Sequence, residues 1–105
     1  MFIKKEVGQE EIILNISGPL NDNTTAECEK YLDDIVAGTH RIVTVNMAEV
    51  DSINSTCLGK ILRTSQLLLA QNRLFRIVGC SDLLYSTFRK LKVENLIMIE
   101  KTPAL

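Results

Sequence analysis

The chain has 105 residues, of which 46% are hydrophobic and 24% are charged. Its 12 basic and 13 acidic residues leave a net charge of −1, so no positive field attracts nucleic acid or anionic lipid. A chain of this length can bury roughly two-thirds of its unfolded surface, enough for a core without metals or disulfides. We therefore expect a single domain spanning residues 1–105 that does not bind nucleic acid.

The N-terminal segment, MFIKKEVGQEE, contains acidic residues and lacks an apolar stretch of signal-peptide length. Elsewhere, no apolar run approaches the ~20 residues that a membrane-spanning helix needs. We therefore expect a cytoplasmic protein that does not insert directly into a membrane.

The first part of the chain predicts two strands and a helix. Residues 2–7 and 11–17 predict strands around a turn that contains Gly8, and together a hairpin. The helix is expected to begin within residues 21–25, where several side chains can cap it, and to end at Gly38. Its apolar residues have the spacing of one helical face: Cys28, Tyr31, Leu32, Ile35 and Val36.

Strands and helices then alternate. Residues 41–47 predict a strand, 55–72 a helix, 74–78 a strand, 81–91 a third helix and 97–100 a last short strand. This order predicts an α/β fold, with a mixed β-sheet that starts with an N-terminal hairpin and has helices packed against it. The apolar face of the second helix is predicted to hold these residues: Leu58, Ile61, Leu62, Leu68 and Leu69. The third helix is predicted to turn Leu84, Phe88 and Leu91 inward, and the tail, residues 101–105, is expected to fray.

The three cysteines, Cys28, Cys57 and Cys80, are odd in number and widely spaced, with no Cys-x-x-Cys motif. Each lies in an apolar pattern, which predicts buried or semi-buried structural thiols rather than a metal or redox site. Cys57 is expected to be the most exposed because it falls in the first turn of the second helix.

The junction near Asn54 places two hydroxyl residues, Ser55 and Thr56, at a helix N-terminus. Backbone N–H groups there carry the positive end of the helix dipole, so a phosphate or a partner's acidic group would be stabilised beside them. Asn, Ser and Thr are also favoured helix caps, so a purely structural role is an alternative. Gly59 costs about 1 kcal/mol relative to alanine inside a helix, which indicates either close packing or close approach by a partner.

Two segments resemble the STAS domain of bacterial anti-sigma factor antagonists. Residues 54–59, NSTCLG, are similar to the Asp-Ser-Ser/Thr-Gly-Leu-Gly signature of that family, and residues 17–21, SGPLN, to its Gly-x-Leu-Asp turn. Asn54 stands where the family usually has Asp, and Cys57 where it has Gly. With the strand and helix after residue 74, the resemblance covers almost the whole chain.

The resemblance implies a partner switch. The first hydroxyl residue of the signature, Ser55, would be phosphorylated by a serine protein kinase that is also an anti-sigma factor, with Thr56 as second choice. The unphosphorylated protein would bind the kinase, and a metal-dependent serine phosphatase would reset it. ATP belongs to the kinase, so no cofactor is expected. The predicted partner surface comprises Gly18, Leu20, Asn21, Asp22, Asn23, Asn54, Ser55, Thr56, Cys57, Leu58, Gly59 and Lys60.

Other functions have less support from the sequence. A catalytic triad would need His40, but His40 falls in a loop and no serine lies in an elbow motif, so no enzyme is expected. The alternative is an accessory subunit of a lipid or anion transport complex, and a switch with another client is a third possibility. Lys60, Arg63 and Arg73 fit a solvated face better than a kinase contact.

Overall fold

The computed structural model describes residues 2–90 and 97–101. The elements follow one another as β1 (Phe2–Val7), β2 (Glu11–Ser17), α1 (Thr25–Ala37), β3 (Ile42–Glu49), α2 (Ser55–Ala70), β4 (Leu74–Cys80), α3 (Asp82–Lys90) and β5 (Met98–Lys101). This order confirms the predicted alternation of strands and helices after a hairpin. Leu91 and residues 102–105 lie outside the described residues, and Lys101, expected to fray with the tail, is instead the last residue of β5.

The five strands form one mixed sheet in the order β1-β2-β3-β4-β5. β1 pairs with β2 in antiparallel register, and the remaining neighbours are parallel. Parallel neighbours require crossover connections, which α1, α2 and α3 supply. The predicted α/β class with a mixed sheet and an N-terminal hairpin is therefore confirmed.

The core lies between the sheet and the helices. In one row across the sheet, Leu14 is opposite Val45 and Val45 is opposite Ile77, and all three are buried. Leu32 from α1 and Leu68 from α2 belong to the same buried cluster. This packing fixes the two helices on the sheet, and with them the loops at the carboxyl ends of β2 and β3.

The buried stripe of α2 differs from the predicted face. Cys57, Ile61, Thr64, Ser65 and Leu68 are buried, whereas Leu58 and Leu62 lie at its flank and are partly buried. The prediction that Leu69 faces inward is wrong, because its side chain is 58% exposed. The stripe advances by three or four residues per turn and ends at Leu68, so Leu69 falls beyond its edge.

Helix α2 ends at Ala70, two residues earlier than predicted. Asn72 adopts a left-handed conformation with φ 59°, and the N–H of Arg73 bonds to the carbonyl of Leu68. Asparagine tolerates this conformation better than most residues, and it terminates helices in this way.

Arg73 is not on a solvated face, contrary to the prediction. It is buried, and its guanidinium donates hydrogen bonds to three backbone carbonyls, those of His40 (2.6 Å), Ile35 (2.9 Å) and Val36 (3.1 Å). These carbonyls lie at and just beyond the C-terminal end of α1, where intrahelical donors are lacking and a positive charge is favourable. Arg73 therefore has a structural role away from the predicted partner surface.

Candidate functional site

The N-terminus of α2 is capped by Asn54. Its backbone is extended, with φ −85° and ψ 168°, and its side-chain Oδ1 accepts a hydrogen bond of 2.8 Å from the N–H of Cys57. Ser55 is the first residue of the helix, and the side chains of Ser55 and Thr56 are exposed. The capping role therefore belongs to Asn54, and neither hydroxyl residue is buried in the fold.

The turn after β2 lies against the segment that leads into α2. The N–H of Gly18 donates to the carbonyl of Glu49 (2.9 Å), and the N–H of Leu20 donates to the carbonyl of Ser52 (2.9 Å). The N–H of Asn54 in turn donates to the carbonyl of Leu20 (2.8 Å). The structure thus brings together the two halves of the predicted partner surface, residues 18–23 and 54–60, through backbone contacts.

The turn itself is ordered by local hydrogen bonds around Asn21. Its side-chain Oδ1 accepts from the N–H of Asn23 (3.0 Å), as in an Asx turn. Its N–H donates to Thr24 Oγ1 (2.9 Å), and its carbonyl accepts from Thr25 Oγ1 (2.9 Å). Gly18 enters the turn with φ 89°, a conformation that glycine adopts without steric cost.

A side-chain bridge also joins the two segments. Asn54 Nδ2 donates to Asp22 Oδ1 at 2.8 Å and to Thr25 Oγ1 at 3.1 Å. Asp22 is exposed while Asn54 is partly buried, so the amide holds a surface carboxylate in place beside the start of α2.

Two residues of the predicted partner surface are buried and cannot contact a partner. Leu20 is 1% exposed, and Cys57 is 0% exposed, so the expectation that Cys57 is the most exposed cysteine is wrong. Cys57 turns toward α1, where its Sγ lies 3.6 Å from Thr25 Oγ1. The side chains of Leu20 and Cys57 therefore pack in the core below this surface. Leu58, which also belongs to the predicted partner surface, is partly buried.

All three cysteines are buried and free, which confirms the prediction of buried thiols. Burial and the adjacent Cys57 thiol raise the pKa of Cys28 to about 12. Burial alone raises the pKa of Cys80 to about 11. Thiols with such raised pKa values are poor nucleophiles near neutral pH.

Gly59 and Lys60 follow on the first turns of α2. Gly59 is exposed, and a Cβ added there would have no atom within 4 Å, which excludes close packing against the described residues as the reason for this glycine. Lys60 Nζ forms an ion pair with Asp33 of α1, so its charge is partly neutralised within the domain.

Two contacts from α1 were not predicted from the sequence. Thr25 contacts Asn54, and Asp33 contacts Lys60. No local pattern signals either role, because each contact joins residues 27 or more positions apart. Ser55 is exposed on the first residue of α2. A depression of about 320 Å³ on the sheet is lined by residues that include Lys4, Asn15 and Glu49.

Two further properties concern the described ranges, residues 2–90 and 97–101. No helix there has the length and apolar character needed to cross a membrane. No group of three or more His, Cys, Asp or Glu residues in those ranges is arranged to hold a metal ion.

Solved structures share this fold at low sequence identity. An anti-sigma factor antagonist from Mycobacterium paratuberculosis is 15% identical over 99% of this chain and 86% of its own, with a TM-score of 0.85. The Bacillus cell fate determinant SpoIIAA in its phosphorylated form is 15% identical over 93% of this chain and 90% of its own (TM-score 0.75), and its unphosphorylated form also matches. A sulfate transporter family protein from Wolinella succinogenes is 20% identical over 91% and 80% of the two chains (TM-score 0.74).

A search of curated proteins finds no match to the sequence. The model of the STAS domain family, however, matches residues 3–104. That match spans nearly the whole sequence and includes every residue of the site, and so the chain belongs to the STAS domain family.

Proposed function

We propose that this protein is a phosphorylation-controlled partner switch of the anti-sigma factor antagonist type. In its unphosphorylated form it binds a serine protein kinase that is also an anti-sigma factor, and the kinase's other client is released. Phosphorylation of Ser55 ends this binding, and a metal-dependent serine phosphatase restores it. The protein acts in the cytoplasm by binding rather than by catalysis. Membership of the STAS family and the antagonists among its structural neighbours support this role.

The position of Ser55 is the observation that carries the proposal. Its side chain is exposed on the first residue of α2, and Asn54 already fills the cap position. A kinase can therefore reach the hydroxyl without removing a helix cap. The positive end of the helix dipole stabilises the phosphate, so we expect the phosphorylated protein to stay folded.

The phosphate changes binding through its charge. It adds about −1.5 to −2 charges and three acceptor oxygens at pH 7. In a closely packed interface this charge costs desolvation, and any acidic group of the partner repels it. A coupling of about 2 to 3 kcal/mol changes affinity about 30- to 150-fold, which is enough to redistribute partners.

A second candidate is an accessory subunit of a lipid or anion transport complex, favoured by the sulfate transporter family protein among the neighbours. In that role Ser55 would be a docking contact rather than a phosphoacceptor. A kinase gene next to the gene for this protein would favour the switch, and a transport ATPase gene would favour the subunit. A switch whose client is a secretion or biofilm regulator would use the same chemistry.

Affinity purification from the native cell, followed by phosphosite mapping, tests the proposal. We expect a serine kinase to copurify and a fraction of the protein to carry phosphate at Ser55. Ser55→Ala should retain more kinase than the wild type, because this variant stays in the binding form. Copurification of transport components, with Ser55 unmodified, would support the second candidate instead.

A further inference from the structure

The side chain of Asn54 performs two tasks that require different chemical groups. Its Oδ1 accepts from the N–H of Cys57 and thereby caps α2 (2.8 Å). Its Nδ2 donates to Asp22 Oδ1 (2.8 Å) and to Thr25 Oγ1 (3.1 Å), which lie on the turn and on α1. The acceptor oxygen therefore caps α2, and the donor nitrogen binds the neighbouring segment.

Of the two residues Asn and Asp, only Asn can do both, because its carboxamide has an acceptor oxygen and a donor nitrogen. A carboxylate at position 54 would still cap the helix, since Asp and Asn are about equally good caps. It would have no proton for Asp22, however, and two carboxylates would then face each other across a hydrogen-bond distance. The Asp22 carboxylate is held here because residue 54 is an amide.

We propose that Asn54 is the positioning residue of the partner surface: its carboxamide fixes Asp22 and the turn of residues 18–23 in one arrangement beside Ser55. The inference rests on the proposed function in one respect, because it states which group orders the surface that the kinase binds. Asn54 acts through Asp22 and the turn, and need not touch the partner.

Three variants distinguish the effect of the amide donor at position 54 from the effect of the negative charge at position 22. Asn54→Asp keeps the helix cap and removes the donor to Asp22. Asp22→Asn keeps an acceptor for Asn54 Nδ2 and removes the charge. The double variant Asp22→Asn/Asn54→Asp reverses the pair, so that the amide at position 22 donates to the carboxylate at position 54 and the total charge equals that of the wild type.

Amide hydrogen exchange measured by NMR tests the positioning role without any partner. In Asn54→Asp we expect exchange at the N–H groups of Asn23 and Thr24 to become about five- to tenfold faster, the change expected for one lost hydrogen bond. Exchange at the N–H of Cys57 should stay slow because the cap is kept. Asp22→Asn and the double variant should both exchange like the wild type.

Affinity for the copurified kinase provides the second measurement. Asn54→Asp should bind about tenfold more weakly, a change that corresponds to about 1.4 kcal/mol, and the double variant should recover most of that loss. Two results would overturn the positioning role. One is amide exchange at Asn23 and Thr24 that is unchanged in Asn54→Asp, and the other is exchange in the double variant that is as fast as in Asn54→Asp. Absence of a kinase partner would instead count against the proposed function, while the exchange result would still decide the role of Asn54.

Discussion

Lys60 of α2 forms an ion pair with Asp33 of α1, close to the start of the helix that carries Ser55. The relative exposure of the two side chains is 23% and 64%, so solvent screens the pair and its contribution to stability is small. The pair lies at the border of the proposed partner surface, where a charge change should alter binding more than folding.

Lys60→Glu should weaken kinase binding and lower the free energy of unfolding by at most about 1 kcal/mol, as expected for an exposed pair. Isothermal titration with the kinase and urea unfolding measure the two effects. The double variant Lys60→Glu/Asp33→Lys restores an ion pair of reversed polarity. It should recover stability but not binding, and kinase affinity equal to the wild type in Lys60→Glu would place the surface elsewhere on the domain.

Gly59→Ala should change stability and kinase binding in opposite directions. A Cβ at this position meets open space, so alanine should raise the free energy of unfolding by up to about 1 kcal/mol through helix propensity. If a partner approaches this backbone closely, the same methyl group weakens binding. The exposed residue Gln66 offers a control, since Gln66→Ala should leave binding unchanged. A more stable Gly59→Ala protein with undiminished kinase affinity would remove Gly59 from the surface.

Arg73→Ala should destabilise the fold by about 2 to 4 kcal/mol, because it leaves the carbonyls that Arg73 contacts without their charged donor. Arg63→Ala, at an exposed position of α2, should change stability by no more than about 0.5 kcal/mol. Urea unfolding at pH 7 compares the two variants. Equal effects would show that the contacts of Arg73 with the end of α1 contribute nothing measurable.

The buried thiols predict a loss of stability at alkaline pH. Cys28 and Cys80 have folded pKa values of about 12 and about 11, raised from 9.0, so the folded state holds its thiol protons more tightly than the unfolded state. Their contribution is complete below pH 9 and is lost as pH rises toward the folded values. At pH 10 the loss should be about 1 to 2 kcal/mol per thiol.

Urea unfolding between pH 7 and pH 10 measures this loss, and Cys28→Ala should make the decline less steep than in the wild type. A decline of identical slope in Cys28→Ala would contradict the assignment of the alkaline loss to this thiol.

The strand and helix order followed from sequence because hydrophobic periodicity and turn residues are local signals. In β3, for example, the apolar residues Val43, Val45 and Met47 alternate with polar residues, as in a strand. The position of Ser55 at the start of α2 was predictable for the same reason. The complete burial of Cys57, which was expected to be the most exposed cysteine, and the contacts of Arg73 were not predictable, because both depend on how α1 packs against residues far along the chain. The link from Asn54 to Asp22 was missed likewise, since a capping preference does not reveal what the free end of the amide contacts.

Phosphate labelling of Ser55 tests the central claim most directly. The copurified kinase and labelled ATP should transfer one phosphate to the wild type and to Thr56→Ala, and none to Ser55→Ala. The labelled wild type should bind the kinase about 30- to 150-fold more weakly than before labelling, the range expected for a coupling of 2 to 3 kcal/mol. Undiminished label in Ser55→Ala, label mapped to Thr56, or equal kinase affinity before and after phosphorylation would contradict the proposed switch.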